Sequence, residues 1–123
     1  MSKTILIVDD SSTVRQQVSL CLKHAGFAIV EAADGQQGLD SVGANRDIAM
    51  VVCDVNMPVM NGLEMVERVK SQPEHRTLPI LMLTTEGQPS LIKRAKQAGA
   101  VGWIVKPFDA NQLVQAARHL TNS

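Results

Sequence analysis

No charge of one sign is in excess in this chain: twelve basic residues balance twelve acidic ones. Nothing in the net charge points to nucleic acid or to an anionic membrane surface. A balanced total still allows a local cluster, and the paired Asp9 and Asp10 begin one. Cysteine is nearly absent. Cys21 and Cys53 each lie in an apolar stretch with no C-x-x-C pair, which leaves no zinc or dithiol motif and predicts two buried free thiols. Long hydrophobic runs are missing too. After Met1-Ser2-Lys3-Thr4 the stretch Ile5-Leu6-Ile7-Val8 is followed at once by two aspartates. That is too short for a signal-peptide core or a membrane span and predicts a cytosolic protein. There is no low-complexity segment, linker or repeat.

What is present suits a globular domain. The hydrophobic fraction is 45% and the charged fraction 20%, both ordinary values. A length of 123 residues fits one domain able to bury roughly two-thirds of its unfolded surface. The expectation is a single domain over residues 1–123 with no room for an output module.

Short apolar runs alternate with helical periodicity. The runs are Ile5–Val8, Ala28–Val30, Met50–Cys53, Ile80–Leu83 and Gly102–Val105. Most are apolar throughout rather than alternating, as in strands of a parallel sheet buried on both faces. Between them, Val14, Val18 and Leu22 mark one helix, capped by Ser11 or Ser12 and ended by Gly26. A weaker helix spans Gly35 to Val42, and Leu63, Val66 and Val69 mark a third that stops before Pro73. Pro89 suits the first turn of a fourth, with Leu91, Ile92, Ala95 and Ala98 as its apolar stripe and Gly99 as its stop. Leu113, Ala116, Ala117 and Leu120 mark a fifth, capped by Asp109. Five β-α units predict an α/β sandwich around a parallel sheet, and ligands of such sheets bind beyond the carboxyl ends of the strands.

Polar residues gather at those ends. Asp9 and Asp10 follow the first run, Asp54, Val55 and Asn56 the third, Thr84 and Thr85 the fourth, and Lys106 and Pro107 the fifth. The second run ends in Glu31-Ala32-Ala33 and offers less. Three carboxylates brought close repel unless a cation joins them. Asp10 and Asp54 can each give one oxygen to Mg²⁺, and a backbone carbonyl in the turn after Asp54 can supply a third. Asp9 then holds a metal-bound water. A carboxylate can also act as a nucleophile and become an acyl phosphate. The phosphoryl oxygens would be neutralised by Mg²⁺, the Lys106 ammonium and the Thr84 hydroxyl, which is the positioning and charge stabilisation that phosphoryl transfer requires.

These motifs resemble the receiver domain of bacterial two-component response regulators, closest to the stand-alone chemotaxis type. The matching pieces are Ile7-Val8-Asp9-Asp10-Ser11, Val52-Cys53-Asp54-Val55-Asn56-Met57-Pro58 with Asn61-Gly62-Leu63, Pro79 through Thr85, Gly99-Ala100, and Val105-Lys106-Pro107-Phe108. The resemblance covers nearly the whole chain. It implies a doubly wound, flavodoxin-like α/β fold with strand order 2-1-3-4-5. It implies Asp54 as phosphoacceptor, Asp10, Asp54 and the Asn56 carbonyl as Mg²⁺ ligands, and Asp9 as an outer acid. Thr84 and Lys106 become the phosphate contacts, and Thr84 with Trp103 the switch. Asn56, Thr85 and Glu86 fall where the phosphorylated lifetime is tuned. The β-branched Thr85 stands where the chemotaxis type often has a small residue, and it would crowd an incoming water. Lys106-Pro107 matches the family's cis-proline site.

The implied function is a phosphorylation-activated switch rather than an enzyme. A histidine kinase would be the phosphodonor, and a motor switch protein or another target would bind at the fourth helix, fifth strand and fifth helix, near Lys93, Arg94 and Lys96. Neither nucleic acid nor membrane is an expected partner. A relay carrier passing its phosphate to a histidine phosphotransfer protein is the alternative. A Mg²⁺-dependent aspartyl phosphatase fits poorly, because Asp9-Asp10-Ser11-Ser12 lacks the Asp-x-Asp spacing of such enzymes. A degenerate receiver that binds partners without phosphorylation conflicts with the intact acidic, threonine and lysine set.

Overall fold

The computed structural model describes residues 2–122; Met1 and Ser123, the ends of the expected domain, lie outside the described residues. The strands are β1 (Thr4–Val8), β2 (Ala28–Ala32), β3 (Ile48–Cys53), β4 (Ile80–Thr84) and β5 (Gly102–Val105). The helices are α1 (Ser12–His24), α2 (Gly35–Ala44), α3 (Gly62–Lys70), α4 (Pro89–Ala98) and α5 (Ala110–Thr121). All strand pairs are parallel, in the order β2-β1-β3-β4-β5. The five-unit reading and the flavodoxin-like order both hold.

Side-chain alternation along the strands divides the core into two layers. Ile5 and Ile7 of β1 join Met50, Val52, Leu81 and Leu83 against Val18 and Leu22 of α1 and Leu113 and Ala117 of α5. Leu6 and Val8 point the other way, with Val51, Cys53 and Met82, and meet Leu63, Val66 and Val69 of α3 and Ala95 of α4. Each fully buried Leu, Ile or Val contributes roughly 1.5–3 kcal/mol of hydrophobic stabilisation. Both faces of the central strands are covered, which is why their sequences read as unbroken apolar runs.

The expected caps of α1 and α5 are in place, and Asn61 adds one at α3 that was not read from the sequence. Ser11 Oγ accepts the Val14 N–H, Asn61 Oδ1 the Glu64 N–H, and Asp109 Oδ1 the Gln112 N–H. Several boundaries differ from expectation. The strand β2 runs on to Ala32, so Glu31 lies within it, and Thr84 is the last residue of β4 rather than the first after it. A short 3₁₀ turn, Pro73–His75, follows α3; Lys70 Nζ donates to the carbonyls of His75, Arg76 and Leu78 and closes that segment against its own helix. Cys53 is buried as expected, but Cys21 is only half-buried, because it lies at the margin of the α1 stripe, beside exposed Leu20. No helix among the described residues is long and apolar enough to cross a membrane.

The loop after β3 is bent sharply. The Met60 N–H donates to the Pro58 carbonyl at 2.7 Å, and Val59 between them has φ +68°, a tight turn that is unusual for a β-branched residue. The start of α3 is then drawn in under the loop. The Gly62 N–H donates to the Val55 carbonyl at 2.8 Å, and a Cβ at Gly62 would overlap the carbonyl oxygen of Asp54. Gly62→Ala is therefore expected to lose about 2 kcal/mol or more in urea unfolding. Gly43→Ala, where nothing lies within 4 Å of the added carbon, is expected to gain about 0.5 kcal/mol. Equal effects at the two positions would contradict this close-packed entry to α3.

Candidate functional site: an acidic pocket at the carboxyl edge of the sheet

Strand register brings the acidic residues together. The strands β1 and β3 are neighbours with Val8 opposite Cys53, so the next residues, Asp9 and Asp54, emerge side by side. The Asp54 N–H donates to the Val8 carbonyl at 3.0 Å and the Asp9 N–H to the Ala32 carbonyl at 3.1 Å. Connections leave β1 for β2 on one side and reach β3 on the other, and this divergence opens the crevice in which such sheets bind ligands.

Both side chains are nearly inaccessible: the residues are 2% and 7% exposed. Lys106, just past the end of β5, reaches across the edge, and its Nζ donates to Asp9 Oδ2 at 2.8 Å and to Asp54 Oδ2 at 2.9 Å. The other oxygens take main-chain donors: Asp9 Oδ1 accepts the Ser11 N–H at 2.9 Å and Asp54 Oδ1 the Val55 N–H at 2.6 Å. Asp10 is exposed, and its carboxylate has no partner among the described residues. One carboxylate oxygen from each of Asp9, Asp10 and Asp54 falls within a mutual 4.8 Å. The peptide bond between Lys106 and Pro107 is cis.

The charges are strongly coupled. Burial pushes the Asp9 carboxyl up, against the opposing pull of Lys106 and the Ser11 N–H. Burial alone would lower Lys106, but its hydrogen bonds and charge contacts with Asp9 and Asp54 outweigh it and leave the ammonium above its usual value. Burial also pushes the adjacent Cys53 thiol far up, so no thiolate competes in the pocket. Three carboxylates meet one ammonium, and the excess is negative. An all-oxygen donor set with a free, exposed carboxylate at its mouth suits a hard divalent cation such as Mg²⁺.

The remaining expected residues form a connected rim. Asn56 Nδ2 donates to Glu86 Oε1 at 2.8 Å, joining the loops after β3 and β4. The Glu86 N–H donates to the buried Thr84 Oγ1 at 3.3 Å. Half-buried Trp103 gives its indole N–H to the Glu86 carbonyl at 2.9 Å. Thr85 is exposed and lines a cleft with Val14, Gln17, Lys106, Pro107 and Phe108. Thus Asp9 and Asp54 meet Lys106 directly with Asp10 close beside them, whereas Asn56, Thr84 and Trp103 are tied to one another through Glu86. Two residues passed over in the sequence also reach the pocket's edge. Arg15 of α1 donates to the Asp9 carbonyl and pairs with Glu31 of β2. The available signal was an arginine one turn after the paired aspartates.

The family model for the response regulator receiver domain matches residues 5–118. The chain belongs to that family. Receiver domains bind Mg²⁺ at an acidic pocket, and the aspartate cluster is the corresponding feature of this one. It is similar to chemotaxis protein CheY1 of Helicobacter pylori, at 40% identity over 105 residues, 85% of each chain. It is also 40% identical to a CheY homologue of Campylobacter jejuni, over 85% of this chain and 81% of that one. Among solved structures, chemotaxis protein CheY4 of Vibrio cholerae superposes with a TM-score of 0.91 at 41% identity, covering 98% of this chain and 99% of the other. A response regulator of Chloroflexus aurantiacus gives 0.93 at 35% identity over the whole of both chains. This receiver is therefore of the CheY type, a signalling domain whose class works through phosphorylation.

The pairing of Lys106 makes a direct stability prediction. Lys106→Met leaves two buried carboxylates without their shared cation, and breaking buried pairs is costly. The expected loss is about 3 kcal/mol in urea unfolding without divalent ions, with part recovered on adding Mg²⁺. Unchanged stability would contradict the coupling described.

Proposed function

We propose that this receiver is a phosphorylation-activated switch of the cytoplasm that takes a phosphoryl group from a histidine kinase onto Asp54 and then binds a target protein. The observation that carries the reading is the Lys106 ammonium shared by Asp9 and Asp54 beside a free Asp10. Asp10, Asp54 and the Asn56 carbonyl would hold Mg²⁺, with Asp9 acting through a bound water. When bound, Mg²⁺ offsets charge on the carboxylates and on a phosphoryl oxygen.

The residues of the chain then have separate tasks. A carboxylate oxygen of Asp54 attacks the phosphorus of a phosphohistidine: the O–P bond forms, the N–P bond breaks, and its electron pair leaves with the imidazole nitrogen. Two of the three carboxylates are already fixed by N–H donors from Ser11 and Val55, so little reorganisation is needed on the acceptor side. Lys106 passes from bridging two carboxylates to contacting a phosphoryl oxygen, and the Thr84 hydroxyl contacts another. As its hydroxyl turns to donate to the phosphoryl oxygen, the Glu86 N–H that it accepts from is drawn with it. Because the same Glu86 holds Trp103 through its carbonyl, the shift is transmitted to the loop before α4. Phosphorylation acts by favouring one of two arrangements of that loop. The target face is α4, β5 and α5, with exposed Val101 and Val105 and the basic Lys93 and Lys96, while Arg94 turns instead to Glu67 of α3.

Acetyl phosphate with Mg²⁺ should add the mass of one phosphoryl group to the intact protein and change Trp103 fluorescence. Asp54→Ala should abolish the added mass, and full labelling of that variant would refute the assignment. The exposed Thr85 stands beside Lys106 at the cleft mouth, where it obstructs water approaching the phosphorylated aspartate. Thr85→Ala is expected to lose its phosphate a few-fold faster than the parent, measured as decay of the phosphorylated mass; slower decay would reverse this reading.

A further inference from the structure

We infer that Arg15 and Glu31 form a strut that positions the Asp9–Asp10 turn for the divalent cation, with Glu31 cancelling the charge of the guanidinium that does the positioning. The inference rests on the proposed use of the acidic pocket as a Mg²⁺ site and extends it to two residues outside the expected set.

The main chain of this turn is held from three directions. The Asp9 N–H donates to the Ala32 carbonyl of β2 at 3.1 Å. The Ser11 N–H is fixed by Asp9 Oδ1 at 2.9 Å. The Asp9 carbonyl, which belongs to the peptide unit joining Asp9 to Asp10, accepts from Arg15 Nη1 at 2.6 Å. Asp10 itself is exposed and has no side-chain partner among the described residues. The placement of its carboxylate relative to Asp54 therefore depends on the orientation of that peptide unit, and Arg15 is the side chain that holds it.

An arginine is a costly choice beside a cation site, because its positive charge repels an incoming divalent ion. Glu31 answers that cost. Its Oε1 accepts from Arg15 Nε at 3.2 Å. The Arg15 side chain is 19% exposed and that of Glu31 41%. Arg15 can thus use one edge of its planar fork on the Asp9 carbonyl and another on Glu31. The pair gives β2, the strand whose end otherwise lacks chemistry, a share in the pocket. Neither residue touches the phosphoryl acceptor, so both are positioning residues. Groups that orient metal ligands in this way typically alter metal affinity by about tenfold or more when removed.

The test compares Arg15→Met, Glu31→Gln and the double variant with the parent protein. Two quantities are read: the Mg²⁺ concentration giving half-maximal phosphorylation by acetyl phosphate, followed by intact mass, and the shift in urea midpoint that saturating Mg²⁺ produces. Arg15→Met should raise the half-maximal Mg²⁺ concentration about tenfold, with the rate at saturating Mg²⁺ approaching that of the parent. Glu31→Gln should raise it by a smaller factor that shrinks as salt is added, since it exposes an uncompensated charge. The double variant should be no worse than Arg15→Met alone, because Glu31 acts through the arginine. A merely structural role would lower the urea midpoint equally with and without Mg²⁺ and leave the half-maximal concentration unchanged, and that result overturns the inference. Should Arg15→Met fail to fold, an unchanged half-maximal Mg²⁺ concentration in Glu31→Gln overturns it alone. A parent protein that takes no phosphoryl group, or takes it without Mg²⁺, defeats the underlying reading instead.

Discussion

The Lys106 ammonium, held 2.8 Å from Asp9 and 2.9 Å from Asp54, is the contact around which the rest of this receiver is organised. Its two bonds reach back 97 and 52 residues along the sequence. It forms only if β1, β3 and β5 finish along one edge of the same sheet. A parallel sheet built by right-handed crossovers meets that requirement by default, since all its strands point the same way. The fold therefore gathers like charges that repel and supplies one cation against three carboxylates. The remaining deficit of positive charge is what suits the pocket to a divalent ion.

The same edge links chemistry to the surface. Glu86 meets three neighbours with three different groups: its amide faces Thr84, its carbonyl Trp103 and its carboxylate Asn56. In the switch proposed above, a group that draws on Thr84 is felt at Trp103 through this shared residue. This is a physical basis for two alternative loop arrangements, each favoured by a different occupancy of the pocket. The close packing at Gly62 and the sharp turn at Val59 hold the other side of the pocket comparatively fixed. The proposed switch therefore assigns the movement to the loop after β4 and leaves the loop after β3 in place.

Much of this was legible in the sequence because the relevant signals are local. Apolar runs four or five residues long, each followed at once by Asp, Thr or Lys, mark strand ends that carry function. Capping residues such as Ser11 and Asp109 mark where the chain turns into helix. The Glu31–Arg15 pair was not legible, because its partners lie sixteen residues apart on different elements and the run Ala28–Val30 gave no sign that β2 continues through Glu31. The three-way role of Glu86 was hidden for a similar reason: two of its three links use main-chain atoms, which carry no sequence signature. Half-exposed Cys21 was misjudged because an apolar neighbourhood in sequence does not fix which side of a helix faces the core. Leu20 beside it is 70% exposed.

The proposed metal site is a matter of geometry, so the position of the cation decides it. Crystals of the protein soaked in Mn²⁺ as a stand-in for Mg²⁺ give an anomalous difference map in which the ion marks its own position. The account predicts one dominant peak at bonding distance from carboxylate oxygens of both Asp10 and Asp54, with Asp9 one water away. A peak held by other residues, or an acidic pocket left empty at millimolar Mn²⁺, would contradict it.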